Sequence, residues 1–282
     1  MFDYLSENLK SVVLSYNLDS ISEIRLRVNA PIVIQIDGKY REIPQRIAIF
    51  TQKDAENLIL RLTKRSFYAY NEDVKNGYIY GENGERIGLC GKCVYDGDKL
   101  LTVKDITSFC IRIPREVKGC AFETIKRIFS DALKSVLVIS PPGGGKTTFL
   151  RDSARTISSE LNVNVLVVDE KCELSGNGRF DLGKTTDVIR SGSKNYGFKV
   201  GVLNMRPDVI ITDELCSESD IISSENAVLS GVSVFASAHA KDVEDLSRKK
   251  AYSSLFSKKI FDYAVVLSSE KRLGEIKEVV KL

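Results

Sequence analysis

Between Val136 and Thr148 an apolar run empties into a glycine-rich loop that ends in Lys146, Thr147 and Thr148. Few segments restrict a fold so tightly. Residues 136–139 read as a buried strand, and residues 149–161 read as a helix. A strand, a tight loop and a helix in that order make a phosphate-binding P-loop. Its backbone N–H groups turn inward on an anion, and the helix N-terminus adds the positive end of its dipole. Pro142, Gly143, Gly144 and Gly145 form the cradle, with Thr148 just beyond it. Lys146 is placed to reach the β- and γ-phosphates, and the Thr147 hydroxyl to ligate Mg²⁺. ATP and Mg²⁺ are therefore the expected cofactors. Ser140 stands where the usual pattern has its first glycine. A glycine turn without a ligand is the competing reading. The strand before the loop and the second threonine after it disfavour that reading.

From this loop onward the chain alternates. Apolar strands are expected at 136–140, 163–170, 209–214, 232–238 and 263–267, with helices between them. Such alternation predicts an α/β fold with a mainly parallel, helix-covered sheet of the P-loop (RecA/ASCE-like) class. The part before it mixes short helices and hairpins. Helices are expected at 4–14, 51–63 and 121–133. Strands are expected at 23–28, 31–38, 78–80, 86–91, 92–95 and 109–114, with turns at Asn83-Gly84 and Asp96-Gly97. The expected division is a smaller α+β N-terminal domain at 1–115 and a P-loop domain at 116–282.

Two acidic pairs end strands in the second part. In 209–214 an apolar strand closes on Asp213 and Glu214, which fits a Walker B element. Asp213 would hold Mg²⁺ and Glu214 would polarise the attacking water, because phosphoryl transfer needs in-line water and little covalent help. Asp169 and Glu170 compete for that role from the end of an earlier strand. Chain order favours Asp213-Glu214, because its strand falls between the competing strand and the one that ends in His239. Asp169 and Glu170 then line the nucleotide site as an auxiliary cluster. His239 is the chain's single histidine. It closes a strand at the sheet edge where open α/β folds bind ligands, a place from which to sense the γ-phosphate or the water.

Composition sets outer limits. The 282 residues suit one large or two medium domains, and 43% hydrophobic with 28% charged residues is ordinary for a globular chain. A net charge of +3 marks neither a general nucleic-acid binder nor an enzyme of acidic substrates. No apolar run reaches about 18 residues, so no transmembrane segment is expected. The N-terminus lacks the basic-then-apolar order of a signal peptide. Six cysteines beside a nucleotide loop suggest reduced thiols rather than a disulfide framework. Cys90 and Cys93 form one C-x-x-C, but Cys110 and Cys120 do not supply the second pair that a zinc site needs. Arg86, Arg112 and Arg115 lie outside the nucleotide core and are most simply solvated. In ring ATPases such arginines complete a neighbour's site, and fingers of this kind are worth about 10³–10⁵ in rate. At least one of the three is expected to act in trans.

Several segments together carry a family resemblance: 23–31, 84–91, 112–115, 140–148, 206–214 and 236–239. They resemble the secretion-type ATPases of type II secretion and type IV pilus machines. More closely, the chain is similar to the stage III sporulation protein AA family. The resemblance implies an ATP hydrolase that works as a cytoplasmic homo-hexameric ring. It also implies peripheral docking, at the inner face of the cell membrane, on membrane-embedded sporulation channel proteins between mother cell and forespore. Within it, Asp169-Glu170 sits at an acidic box, 206–214 at the Walker B segment and 237–239 at a histidine box. Arg86 and Arg112 fall at inter-subunit arginines. Ser140 departs from the pattern, as does Asp213, where many secretion ATPases carry glycine. Residues 191–197 match no known role. A nucleic-acid-associated ATPase is the alternative, disfavoured because the chain has no Trp and no basic patch interleaved with aromatics. A nucleotide-gated scaffold with little turnover is the third reading, which Ser140 leaves open.

Overall fold

Period-two burial organises the first hundred residues, and a buried-on-both-faces pattern organises the strands that follow. The computed structural model describes residues 2–44, 48–82, 84–113, 116–268 and 274–282. It divides into two compact units, Met1–Arg115 and Glu116–Leu282.

In the first unit, helix α1 (Glu7–Leu14) precedes strands β1 (Ile21–Arg27), β2 (Ala30–Pro31), β3 (Val33–Ile36), β4 (Lys39–Glu42) and β5 (Ile49–Phe50). Helices α2 (Gln52–Leu62) and α3 (Asn71–Lys75) follow, then β6 (Tyr78–Tyr80), β7 (Arg86–Asp96) and β8 (Lys99–Arg112). The six-stranded sheet has the order β4-β3-β1-β8-β7-β6, with every pair antiparallel. One face buries Ile24, Leu26, Ile87, Phe109 and Ile111. The other carries polar partners such as Glu23, Arg112 and Arg86, which lie in register across three strands. The helix α2 starts at a capping box in which Thr51 and Asp54 bond reciprocally.

The two strands expected at 86–91 and 92–95 are one strand, β7. A bulge between Cys90 and Lys92 absorbs the break that the sequence suggests. Gly91 marks it, since a Cβ there would meet Lys104 O at 2.6 Å. The helix expected at 4–14 begins only at Glu7, because Ser6 is extended. Asn83 of the expected turn and Pro114 at the expected strand end lie outside the described residues.

The second unit opens with α4 (Phe122–Ile128), shorter than expected, then β9 (Val136–Ser140) and α5 (Lys146–Glu160). Strands β10 (Val165–Asp169) and β11 (Thr186–Arg190) come next, then α6 (Lys194–Val200), a π-helical turn at Gly201–Met205, and β12 (Val209–Glu214). The remainder is α7 (Glu218–Leu229), β13 (Ser233–His239), α8 (Val243–Ser247), α9 (Ser253–Ser257), β14 (Tyr263–Leu267) and β15 (Ile276–Lys281). The sheet order is β11-β10-β12-β13-β9-β14-β15. All neighbours are parallel except the last pair. Helices cover both faces, so each central strand feeds two cores. Val136 and Val138 pack with Phe149, Ala154 and Ile157 of α5, whereas Leu137 and Ile139 pack with Phe198, Ile221 and Leu246.

This is the α/β P-loop fold, with a smaller α+β unit before it. Strands β11 and β15 were not expected from the sequence. Both are edges, half-exposed and mixed in polarity, and edge strands lack the apolar run that reveals a central one. No helix among the described residues is long and apolar enough to cross a membrane.

Candidate nucleotide site

Three central strands bring the site together at their carboxyl ends. Strand β9 delivers the glycine loop, β13 delivers His239 beside it, and β12 delivers Asp213 and Glu214 one strand further out. His239 lies in register with Ser140. The inserted strand β13 thus separates the loop from the acidic pair.

The loop is shaped by close approach. Helix α5 starts at Lys146, three residues earlier than its apolar pattern suggests, with Gly145 before it in the left-handed region (φ 89°) that a side chain would strain. A Cβ on Gly144 would meet Ser140 Oγ at 2.5 Å and Ser140 Cβ at 2.8 Å. Ser140 is itself fully buried, and its hydroxyl donates to Pro141 O at 2.9 Å. The serine at the first-glycine position is therefore accommodated by the missing side chain at Gly144. Pro142 and Gly143 are exposed at the rim, and Thr147 and Thr148 are half-buried in the first helical turn.

Lys146 is folded into this loop. Its ammonium donates to Ser140 O at 3.0 Å and Pro141 O at 3.2 Å, and it meets His239 Nδ1 at 2.8 Å. Burial pushes its pKa down to about 8, against the pull of the Glu214 carboxylate. His239 Nε2 lies 3.2 Å from Glu214 Oε1. Lys146, His239 and Glu214 therefore form one continuous polar line.

A second cluster stands beside it. Lys194 Nζ lies 2.8 Å from Glu170 Oε2 and 2.9 Å from Asp213 Oδ1. Burial would lower the Lys194 pKa, but the two carboxylates outweigh it and raise it, so the ammonium stays charged. Asp213 is buried, and burial raises its carboxyl against the pull of Lys194. Its Oδ1 accepts no hydrogen bond among the described residues. The contact with Lys194 is a charge contact without hydrogen-bond alignment.

Asp169 takes a different part. It is wholly buried and accepts from the backbone N–H groups of Leu174 and Ser175 at 3.1 and 2.7 Å. Arg151 holds the same loop, donating to Leu174 O and Glu173 O at 2.9 and 2.8 Å. Asp169 thus shapes the segment after β10, while Glu170 turns to Lys194. In the first unit, Arg86 and Arg112 are register partners on β7 and β8. The Arg86 guanidinium stacks 4.2 Å from the Tyr78 ring, and Arg112 Nε lies 3.8 Å from Glu23 Oε2. Arg115 lies outside the described residues.

Lys194 was missed by sequence reasoning. The signal available was the pair Gly197 and Gly201, one helical turn apart, which reads as loop. In α6 and the π-helical turn after it they are contact points: a Cβ on Gly197 would meet Val168 at 2.4 Å, and one on Gly201 would meet Leu166 at 2.5 Å. Lys194 lies one turn before Gly197, on the face pressed against the sheet.

The residues fit a magnesium–nucleotide ligand. Asp213 offers a buried oxygen that lacks a hydrogen bond, and Thr147 sits in the first turn of α5 as the second oxygen donor.

Comparison with known proteins identifies the family and the fold. The family model for sporulation stage III, protein AA, matches residues 1–281. Stage III sporulation protein AA of Bacillus subtilis is 32% identical over 268 residues, covering 92% of this chain and 86% of that protein. Among solved structures, the pilus retraction motor PilT with bound ADP superposes with a TM-score of 0.69 at 15% identity, over 95% of this chain and 80% of that one. The ATPase DotB of Yersinia pseudotuberculosis gives 0.64 at 16% identity, over 94% and 76%. At that identity the structural likeness establishes the fold.

Proposed function

The chain belongs to the stage III sporulation protein AA family, and on that footing we propose that it is a secretion-type ATP hydrolase. The observation that carries the reading is the line from Lys146 through His239 to Glu214 at the mouth of the glycine loop. Backbone N–H groups at Gly143–Gly145 and the start of α5 bind the phosphates. Lys146 leaves its carbonyl partners for the β- and γ-phosphate oxygens. Thr147 and Asp213 would hold Mg²⁺, which would supply charge neutralisation on the phosphates. Glu214 orients the attacking water and accepts its proton. His239, between Lys146 and Glu214, reports whether the lysine has moved.

At least one of Arg86, Arg112 and Arg115 completes a neighbour's site in a homo-hexamer, in keeping with the family resemblance. The ring then acts from the cytoplasmic side on membrane-embedded sporulation proteins. The test is ATPase activity against protein concentration, with mass measured in parallel. Activity per chain that rises with assembly supports the ring enzyme, and concentration-independent activity of a monomer overturns it. Lys146→Ala is expected to abolish nucleotide binding. Normal Mg·ATP affinity in that variant would refute the P-loop assignment.

A further inference from the structure

The buried ammonium of Lys194 has no task in the reaction outlined above. Only 3% of its side chain is exposed, and it touches Glu170 and Asp213 at 2.8 and 2.9 Å. Taking an ammonium out of water is costly unless carboxylates compensate it. The dependence also runs the other way. Asp213 is 6% exposed, and its Oδ1 has no hydrogen-bond donor among the described residues. Lys171 adds a positive field at Asp213, and Asp169 a smaller negative one. The cation in contact with Asp213 is Lys194. The position of that cation is fixed by packing: Ser193 caps α6, and Gly197 presses the helix onto Val168.

Both carboxylates touch a single nitrogen, so they converge on one point. Two converging carboxylates attract a hard divalent cation, which prefers several oxygen ligands. A lysine at that point is a compact charge with three donors, and it balances the charge of the carboxylates without a metal. A cation that arrives with phosphates brings further oxygen ligands and charge of its own, whereas a bare cation does not. We infer that Lys194 is a built-in counter-ion of Asp213, which bars divalent cations from the nucleotide-free site and admits them only together with a nucleotide. This rests on the ATPase reading. It assigns Lys194 as a positioning residue rather than a catalytic one.

The experiment uses Mn²⁺ as a paramagnetic probe, titrated into the full-length, nucleotide-free chain and read by electron paramagnetic resonance. Lys194→Met is expected to bind Mn²⁺ at least tenfold more tightly than wild type, and Lys194→Arg to resemble wild type. Adding Asp213→Asn to Lys194→Met is expected to remove the gain. A merely structural ion pair would lower thermal stability and leave Mn²⁺ affinity unmoved, which overturns the inference. Should Lys194→Met fail to fold, Lys194→Gln keeps a polar stem without the charge and decides by the same criterion. Fluorescent ADP binding with Mg²⁺ is measured on wild type alongside. Normal ADP binding with equal Mn²⁺ affinities refutes the counter-ion alone, and absent ADP binding refutes the ATPase reading together with it.

Discussion

Lys146 Nζ meets His239 Nδ1 at 2.8 Å, and this contact fixes the tautomer of the chain's single histidine. An ammonium only donates. Nδ1 therefore accepts, the proton of the neutral ring sits on Nε2, and Nε2 faces Glu214 Oε1 at 3.2 Å. Lys146 and Glu214 are thus joined through one ring. On the proposed ATPase reading, Nδ1 loses its donor when Lys146 turns to a phosphate.

Replacing His239 by Ala is expected to leave nucleotide affinity within about threefold and to lower kcat by about 10²-fold, the scale of a lost positioned polar group in a reaction centre. Separate measurement of nucleotide Kd and steady-state kcat checks this. Weakened nucleotide affinity with kcat unchanged would assign His239 to binding alone.

Glu214→Gln is expected to bind Mg·ATP and hydrolyse it about 10²–10⁴-fold more slowly, as befits loss of a general base. Glu170→Gln is expected to change turnover by less than about tenfold, because Glu170 is 41% exposed and spent on Lys194. Single-turnover assays on both variants decide between them, and the reverse ranking would move the base to Glu170.

Ser140 and Gly144 form a size-exchange pair. Gly144→Ala places a methyl group 2.5 Å from Ser140 Oγ and is expected to weaken nucleotide binding at least tenfold, about 1.4 kcal/mol. Ser140→Gly removes both atoms that clash. The double variant is expected to recover most of the affinity, a coupling that a double-mutant cycle on nucleotide Kd measures. Additive losses would show that the two positions do not share space.

Cys120 gives a pH dependence with a definite sign. Burial and the neighbouring Asp152 carboxylate push its thiol from 9.0 up to about 12. Between those values the unfolded chain has released a proton that the folded chain keeps, so stability falls as pH rises through the window. Cys120→Ala is expected to remove that slope, seen as a growing difference in urea midpoint between variant and wild type above pH 9. A constant difference would contradict the shift. Iodoacetamide at neutral pH is expected to modify the exposed Cys90 and Cys93 before Cys120.

The central strands were legible because each is buried on both faces and reads as an unbroken apolar run. The P-loop, Asp213-Glu214 and His239 were legible because they sit where those runs stop. Strands β11 and β15 were not, since one side of each meets no neighbouring strand and its residues are mixed. Helix α5 was read three residues too late, because its first turn is polar residues that serve the loop. Lys194 escaped because a lysine in sequence carries no mark of burial; only the packing of Gly197 on Val168 turns it inward. Asp169 was legible as an acid at a strand end but not as a cap for the Leu174 and Ser175 amides.

The strand inserted between the glycine loop and Glu214 makes the sheet a ruler. Neighbouring strands stand about 4.8 Å apart, so two steps put the carboxyl ends of β9 and β12 roughly 10 Å from each other. On the proposed ATPase reading, a transferring phosphoryl group and an attacking water would stand in line within that span. Removing β13 would press the carboxylate against the lysine, and adding a strand would leave the water unsupported. The tolerance for chemistry is thus set by backbone hydrogen-bond spacing, which point substitutions in the site leave untouched.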